Sequence, residues 1–216
     1  PRCNRIWEEA IRVIAPLKNH QSIGVCTLLV FVTSCGMPSL SEGPVAIASR
    51  AEQAEIAEMI ISEYANEKWE PVQTFCIGTK FSPPLDEIYS ELDYLKTKLP
   101  PNFKWFKKAE VDRAFKKLIT VENTKQIRKH GATAFPSNVS EYTTCPNNIR
   151  AGIGEDDSFY KYRTIDVSLP VKSGHFVFVE VGSICGPLCG SGQLLALQKN
   201  MVGKWIVVER LDTWIS

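Results

Sequence analysis

The sequence predicts an α+β fold in which amino-terminal helices pack on a mainly antiparallel, carboxy-terminal β-meander. Apolar residues recur at helical spacing in the first half of the chain. From about residue 165 onward they alternate with a period of two, which is typical of strands with one buried face. Turns that contain glycine separate these alternating runs. Helices followed by successive strands indicate the α+β class.

The first helix is predicted to begin after Ser49, because Ser49 and Glu52 match a capping box. In that motif the two residues satisfy each other's exposed backbone N–H groups. Residues at helical spacing would then form the buried face, namely Ile56, Met59, Ile60 and Tyr64.

Further elements are predicted between the first helix and the meander. Val72 to Ile77 predicts a strand, and Pro83 and Pro84 predict the start of a second helix, where a missing N–H costs least. The apolar face of this second helix would comprise Leu85, Ile88, Leu92 and Leu95. A third helix is expected from about Lys108 to Ile119. The stretch from Thr120 to Asp157 is weakly patterned and is expected to contain long loops.

Four strands are predicted in the meander: Ile165 to Leu169, Phe176 to Val181, Leu194 to Leu197, and Trp205 to Val208. In the second of them Val177, Val179 and Val181 alternate with Phe176, Phe178 and Glu180. We therefore expect this strand to commit one face to a core.

Length and charge restrict the class of protein. A chain of 216 residues predicts one folded unit of ordinary size. Its net charge of +1 includes no basic block, so the electrostatic signature of a nucleic-acid-binding protein is missing and nucleic acid is not a predicted partner.

Residues 1–34 have the layout of a secretory signal region. Lys18-Asn19-His20 precedes an apolar run from Ile23 to Val32, and small residues follow it. The run is too short for a permanent span, which needs about 20 apolar residues. Because an amphipathic stretch precedes the run and the chain opens on Pro1, we hypothesise that residues 1–16 are not part of the native product.

The four residues Val32-Thr33-Ser34-Cys35 resemble the lipobox of bacterial lipoproteins, in which the cysteine is acylated and becomes the new amino terminus. The resemblance implies lipid attachment at Cys35. Residues 35–44, rich in serine and proline, would then be a tether, and residues 45–216 a single α+β domain. The alternative interpretation is a buried hydrophobic strand with an incidental cysteine.

Four cysteines remain after Cys35 in the mature chain, an even number in an oxidising compartment. We predict disulfides Cys185–Cys189 and Cys76–Cys145, although four cysteines allow three pairings. Two other roles for these cysteines fit the sequence less well. A redox-active Cys185–Cys189 pair would have three intervening residues instead of the usual two, and a metal site of Cys185, Cys189, His175 and Cys145 would lack a second paired ligand motif.

The remaining polar motifs have simpler explanations. Glu155-Asp156-Asp157 reads as a solvated turn, since no calcium-loop pattern surrounds it. Asn138-Val139-Ser140 is a glycosylation sequon only in a eukaryotic source. The sequence therefore predicts no catalytic residue, no metal site and no cofactor.

The carboxy-terminal quarter resembles a group of uncharacterised bacterial secreted proteins and lipoproteins. The motifs that carry the resemblance are Val181 to Gly192, Gly203 to Val208, and the closing Trp214-Ile215-Ser216. A looser likeness is to the cone-shaped fold of nuclear transport factor 2 and its relatives, which also end in such a strand after initial helices. That likeness implies a pocket between sheet and helices, but the acid–base pair of enzymes with that fold matches no residue here.

These features together predict a lipid-anchored protein of the bacterial cell envelope with a binding or structural role. Gly36, which follows the lipobox cysteine, resembles signals for sorting to the outer membrane, where the domain would face the periplasm and meet an unknown protein or small-molecule ligand. A secreted protein is the alternative location. A small ligand-binding module or enzyme that uses a pocket between sheet and helices is the alternative function.

Overall fold

The structure is a computed structural model that describes residues 43–66, 74–86, 88, 99–100, 102–136, 142, 144–145, 162–186 and 189–215. By its contacts the chain divides after Gly36, and every described residue belongs to the unit from Met37 to Ser216.

The described elements confirm the predicted α+β class. The helices are α1 (Arg50–Asn66), α2 (Ala109–Leu118) and α3 (Val121–Ile127). The strands are β1 (Ala46–Ile47), β2 (Thr74–Ile77), β3 (Lys80–Phe81), β4 (Thr133–Ala134), β5 (Tyr162–Val167), β6 (Val171–Ser173), β7 (Phe176–Gly186), β8 (Cys189–Lys199) and β9 (Trp205–Ile215). Seven strands form one sheet, and β3 and β4 form a separate pair.

The α1 helix begins with the predicted capping box. The Ser49 N–H donates to Glu52 Oε2 at 2.9 Å, and the Glu52 N–H donates to Ser49 Oγ at 3.4 Å. Glu52 also pairs with Lys172 of β6 at 2.8 Å, so the same carboxylate ties the start of the helix to the sheet. Three of the four predicted inward residues are buried, and Met59 is partly buried against the same cluster.

The long strand β7 is the centre of the sheet. One edge pairs with β8, and β9 extends the sheet beyond β8. The other edge pairs first with β6 and then with β5, both antiparallel. The strand is interrupted between β5 and β6. There the Ser168 N–H donates to the Glu180 carbonyl at 2.8 Å, and the Glu180 N–H donates to Ser168 Oγ, also at 2.8 Å. The predicted strand from Ile165 to Leu169 is thus one arm of a long hairpin, interrupted at Ser168.

The outer edge of this arm is covered by three separate segments of the amino-terminal half. Strand β2 pairs in parallel with β5, and β1 pairs antiparallel with β6. Between them Ser82 forms a parallel bridge with Ser168. The edge is therefore covered along its length, and its backbone groups find partners within the chain.

Both faces of β7 and β8 are buried, which corrects the prediction of a single core face. On one face the valines of β7 pack with Ile56, Ile60 and other residues of α1. On the opposite face Phe176 and Phe178 pack with residues of α2 such as Phe115. The period of two is present, but it separates two apolar surfaces, because each face carries its own helix.

The α2 helix lies within the predicted span, and the weakly patterned stretch after Thr120 begins with a helix that was not predicted. The α3 helix follows at once, and the Thr120 side chain accepts from the Asn123 N–H at its start. Its sequence buries only Ile127, so it has no apolar periodicity to read. Most of the predicted second helix lies outside the described residues.

Candidate functional site

An open groove of about 500 Å³ lies between α1 and the turn that joins β8 to β9. Its lining residues from the helix are Glu55, Glu58, Met59 and Ser62, and those from the turn and β9 are Gly203, Lys204 and Trp205. The sequence analysis gave a pocket between sheet and helices only as what a likeness implies. The residues that line this groove were not predicted, because they come from segments about 150 residues apart.

The wall of the groove is fixed by contacts around Glu55. The Trp205 indole N–H donates to Glu55 Oε2 at 2.8 Å, and Lys199 Nζ lies 2.9 Å from the same oxygen. The Lys199 ammonium also lies 5.0 Å from the centre of the Trp205 ring, within the range of a cation–π contact. Through its hydrogen bond, Lys199 is the main cause that holds the pKa of the Glu55 carboxyl below its usual value, and the Trp205 indole adds to it. Glu55 is therefore ionised at neutral pH.

The lining of the groove combines charged and apolar side chains. Glu55 and Glu58 supply carboxylates, and Lys204 supplies an ammonium in addition to the Lys199 that pairs with Glu55. Trp205 and Met59 supply apolar surface. The described lining also includes the hydroxyl of Ser62, and it includes no histidine or cysteine.

The two disulfide bonds are present and join the residues paired in the sequence analysis. Cys76 of β2 and Cys145 are both buried, with Cα atoms 4.9 Å apart. Beside this bond the Cys145 N–H donates to the Ile77 carbonyl at 3.0 Å, so the backbone is held as well. Cys185 and Cys189 close the β7–β8 hairpin, with Cα atoms 5.1 Å apart.

The four residues weighed as a metal site do not come together. His175 lies before β7 and Cys185 near its end, about 30 Å away along an extended strand. Cys145 and Cys185 are both in disulfides, so neither offers a thiolate. Within the described part of the chain, no three potential metal ligands cluster.

The buried carboxylate of Glu180 was not singled out from the sequence as a site. It lies on the same face of β7 as Phe178, and its Oε1 accepts from the Ile88 N–H at 2.9 Å. The sequence signal was present, since an acidic residue at an apolar position of an alternating strand calls for a hydrogen-bond donor. The observed partner gives Glu180 a structural role, because it fixes the chain near Ile88 against the sheet.

Several predicted features lie outside the described residues: Cys35, the rest of the signal region, Asn138, and Glu155 to Asp157. Among the helices that the structure does describe, none is both long enough and apolar enough to cross a membrane.

No protein-family model, curated protein or solved structure matches the chain. The resemblance to bacterial secreted proteins and lipoproteins, and the likeness to nuclear transport factor 2, stay predictions.

Proposed function

We propose that this protein is a lipid-anchored domain of the bacterial cell envelope, held by an acylated Cys35 in the outer membrane and facing the periplasm, with a binding or structural role. The observation that carries the proposal is the pair of disulfides, one of them buried within the domain. Such bonds persist in oxidising compartments. The lipobox resemblance at Cys35 adds a mode of attachment in a compartment of that kind.

The test is the intact mass of the protein purified from its native host, measured before and after reduction. The expected mass begins at Cys35, carries acyl groups, and rises by about four hydrogens when two disulfides are reduced. A Cys35→Ser variant is the matched control, and it should leave the membrane fraction because it has no acylation site. A native protein that retains residues 17–34 without acyl groups would overturn the proposal.

The second candidate function is a small ligand-binding module, and the groove beside Trp205 is the observation that favours it. Its ligand class is an organic cation, held between the carboxylates of Glu55 and Glu58 with its apolar part against the indole. Cadaverine is a suitable probe, and 1,5-pentanediol is the uncharged control of the same length.

The readout for this candidate is the nuclear magnetic resonance signal of the Trp205 indole N–H, assigned by its loss in Trp205→Phe. Cadaverine should shift that signal in a saturable way, and the diol should not. Equal shifts with both compounds, or no shift with either, would remove this candidate and leave the envelope proposal untouched.

A further inference from the structure

The turn between β8 and β9 presents two apolar side chains directly to solvent. Met201 is 104% exposed and Val202 is 77% exposed, the two highest values among the large apolar residues that the structure describes. We call residues 200–203 the β8–β9 tip. Two adjacent apolar side chains on a turn expose a larger continuous apolar surface than a single apolar residue does.

The β8–β9 tip is held in shape by its own hydrogen bonds. Asn200 Oδ1 accepts from the N–H groups of Val202 and Lys204, both at 3.0 Å. The Asn200 backbone closes the turn with Gly203 and Lys204, and Gly203 supplies the positive φ of 79° that the turn requires. Because the turn satisfies these backbone groups internally, it can enter a less polar medium at reduced cost.

Strand register places the β8–β9 tip at the end of the sheet where the chain enters the domain. Ser173 pairs with Phe176, and Val177 pairs with Leu197, so the β6–β7 turn and the β8–β9 tip lie at the same end. Two strand spacings between the turns correspond to about 10 Å.

Gly43 is packed against that same β6–β7 turn. A Cβ on Gly43 would lie 2.9 Å from the Cα of Gly174, and Lys117 Nζ donates to the Gly43 carbonyl at 2.8 Å. The first described residue is therefore fixed at this end of the sheet. A third exposed apolar residue, Val121, begins α3 four residues after Lys117 and is 65% exposed.

The length of chain between Cys35 and Gly43 limits how far this end can lie from an acyl anchor. Eight residue steps reach at most about 28 Å when fully extended. An acylated Cys35 would thus hold the end that carries the β8–β9 tip within about 28 Å of the bilayer surface.

Lysine side chains flank the β8–β9 tip on both sides. Lys204, which follows the β8–β9 tip, is exposed and forms no ion pair within the described residues. Lys199 precedes the tip and remains 41% exposed beside Glu55. Lysines next to exposed apolar residues are attracted to anionic lipid headgroups.

We infer that the β8–β9 tip contacts an anionic lipid bilayer, with Met201 and Val202 inserted at the headgroup level and Lys204 among the headgroups. The inference rests on the proposed acylation of Cys35. Two apolar side chains are too few to retain a protein on a membrane, so the acyl chains supply retention and the tip sets the orientation of the domain.

The test uses the full acylated protein in vesicles of equal parts phosphatidylethanolamine and phosphatidylglycerol. Met201→Cys introduces a thiol that is labelled with an environment-sensitive fluorophore without reduction, since Cys35 is acylated and the described cysteines are in disulfides. Asn66→Cys is the matched control, because Asn66 is exposed at the far end of α1.

The expected result is a blue shift and a severalfold rise in emission for the label at position 201, with quenching by a lipid-tail quencher, and no change at position 66. A label at position 201 that stays in water while the protein floats with the vesicles overturns the inference alone. Equal responses at both positions also overturn it, because the domain would then have no fixed orientation. A protein that does not float with vesicles and carries no acyl group contradicts the proposed function instead.

Discussion

The carboxylate of Asp112 contacts both the loop that precedes α2 and a lysine within α2. Its Oδ1 accepts from the Trp105 N–H at 2.7 Å and from the Phe106 N–H at 3.2 Å, and its Oδ2 pairs with Lys116 at 2.8 Å. Burial on its own would raise the pKa of the Asp112 carboxyl. The hydrogen bonds from Lys116, Phe106 and Trp105 together outweigh it, so the pKa lies below its usual value.

The variant Asp112→Asn should lower the free energy of unfolding by about 1–2 kcal/mol at neutral pH, since hydrogen bonds to a charged acceptor are weakened. A lowered folded-state pKa stabilises the fold above the unfolded-state pKa, and this stabilisation is lost as the pH falls through the folded-state value. The gap between wild type and variant should therefore close below about pH 4.

Urea unfolding across that pH range measures this gap. Glu110→Gln on the same helix is the matched control, and as an exposed change it should stay within about 0.5 kcal/mol of wild type. A gap between wild type and Asp112→Asn that is independent of pH would show that the ionised carboxylate does not stabilise the domain.

Predictions for single residues were confirmed where they rest on a motif of residues close together in the sequence. The Ser49–Glu52 capping box needs only two residues three positions apart, and it forms as predicted. The roles of Glu180 and Asp112 were not predicted. The partner of Glu180 is set by a tertiary contact, and the partners of Asp112 lie in a loop without apolar periodicity.

At the level of elements, the adjacent residues Leu194 and Leu195 of β8 lie on opposite faces of the sheet, so each one tests a different core. Both are fully buried, Leu194 against the cluster of α2 and Leu195 against that of α1. We expect Leu194→Ala and Leu195→Ala each to cost about 2–5 kcal/mol, because each opens a cavity in a different core.

Thermal or urea unfolding of the two variants is the direct comparison. Ile206→Ala on the neighbouring strand β9 is the control, since Ile206 is 42% exposed and its truncation should cost less than about 1 kcal/mol. If one of the two leucine variants behaves like this control, one face of the sheet is open and the two-sided core is wrong.

The elements that were predicted have strong periodicity, and those that were missed have little. α1, α2 and the strands after residue 162 follow apolar patterns that a sequence displays directly. The α3 helix buries one residue and is held by its Thr120 cap, so no pattern marks it. The second helical face of the sheet was missed because alternation of valine and phenylalanine does not say what covers each side.

For the whole molecule, the two disulfides should differ in how much they stabilise the fold. Cys76–Cys145 spans a sequence separation of 69 residues and Cys185–Cys189 one of 4. Chain-entropy estimates give about 4 kcal/mol for the first bond and about 2 kcal/mol for the second, because a longer closed loop restricts the unfolded chain more.

Calorimetry of Cys76→Ala/Cys145→Ala and Cys185→Ala/Cys189→Ala measures this order. The first double variant should unfold at the lower temperature, and each serves as the control for the other. The reverse order would mean that closure of the β7–β8 hairpin matters more to the native state than the link from β2 to Cys145.

The residues that line the groove and the exposure of the β8–β9 tip could not have been predicted from the sequence. Each depends on the register between β8 and β9 and on where α1 lies on the sheet, and these are long-range properties. The exposed pair Met201 and Val202 is visible in the sequence only as two apolar residues in a turn.

The parallel pairing of β2 with β5 has a consequence for the order of folding. Thr74 pairs with Tyr162, and Ala46 pairs with Lys172, so β1 and β2 have no strand partner until the late strands exist. The hairpins of β7, β8 and β9 are local and can form first. A chain built this way cannot complete its sheet until its carboxy-terminal third has been synthesised.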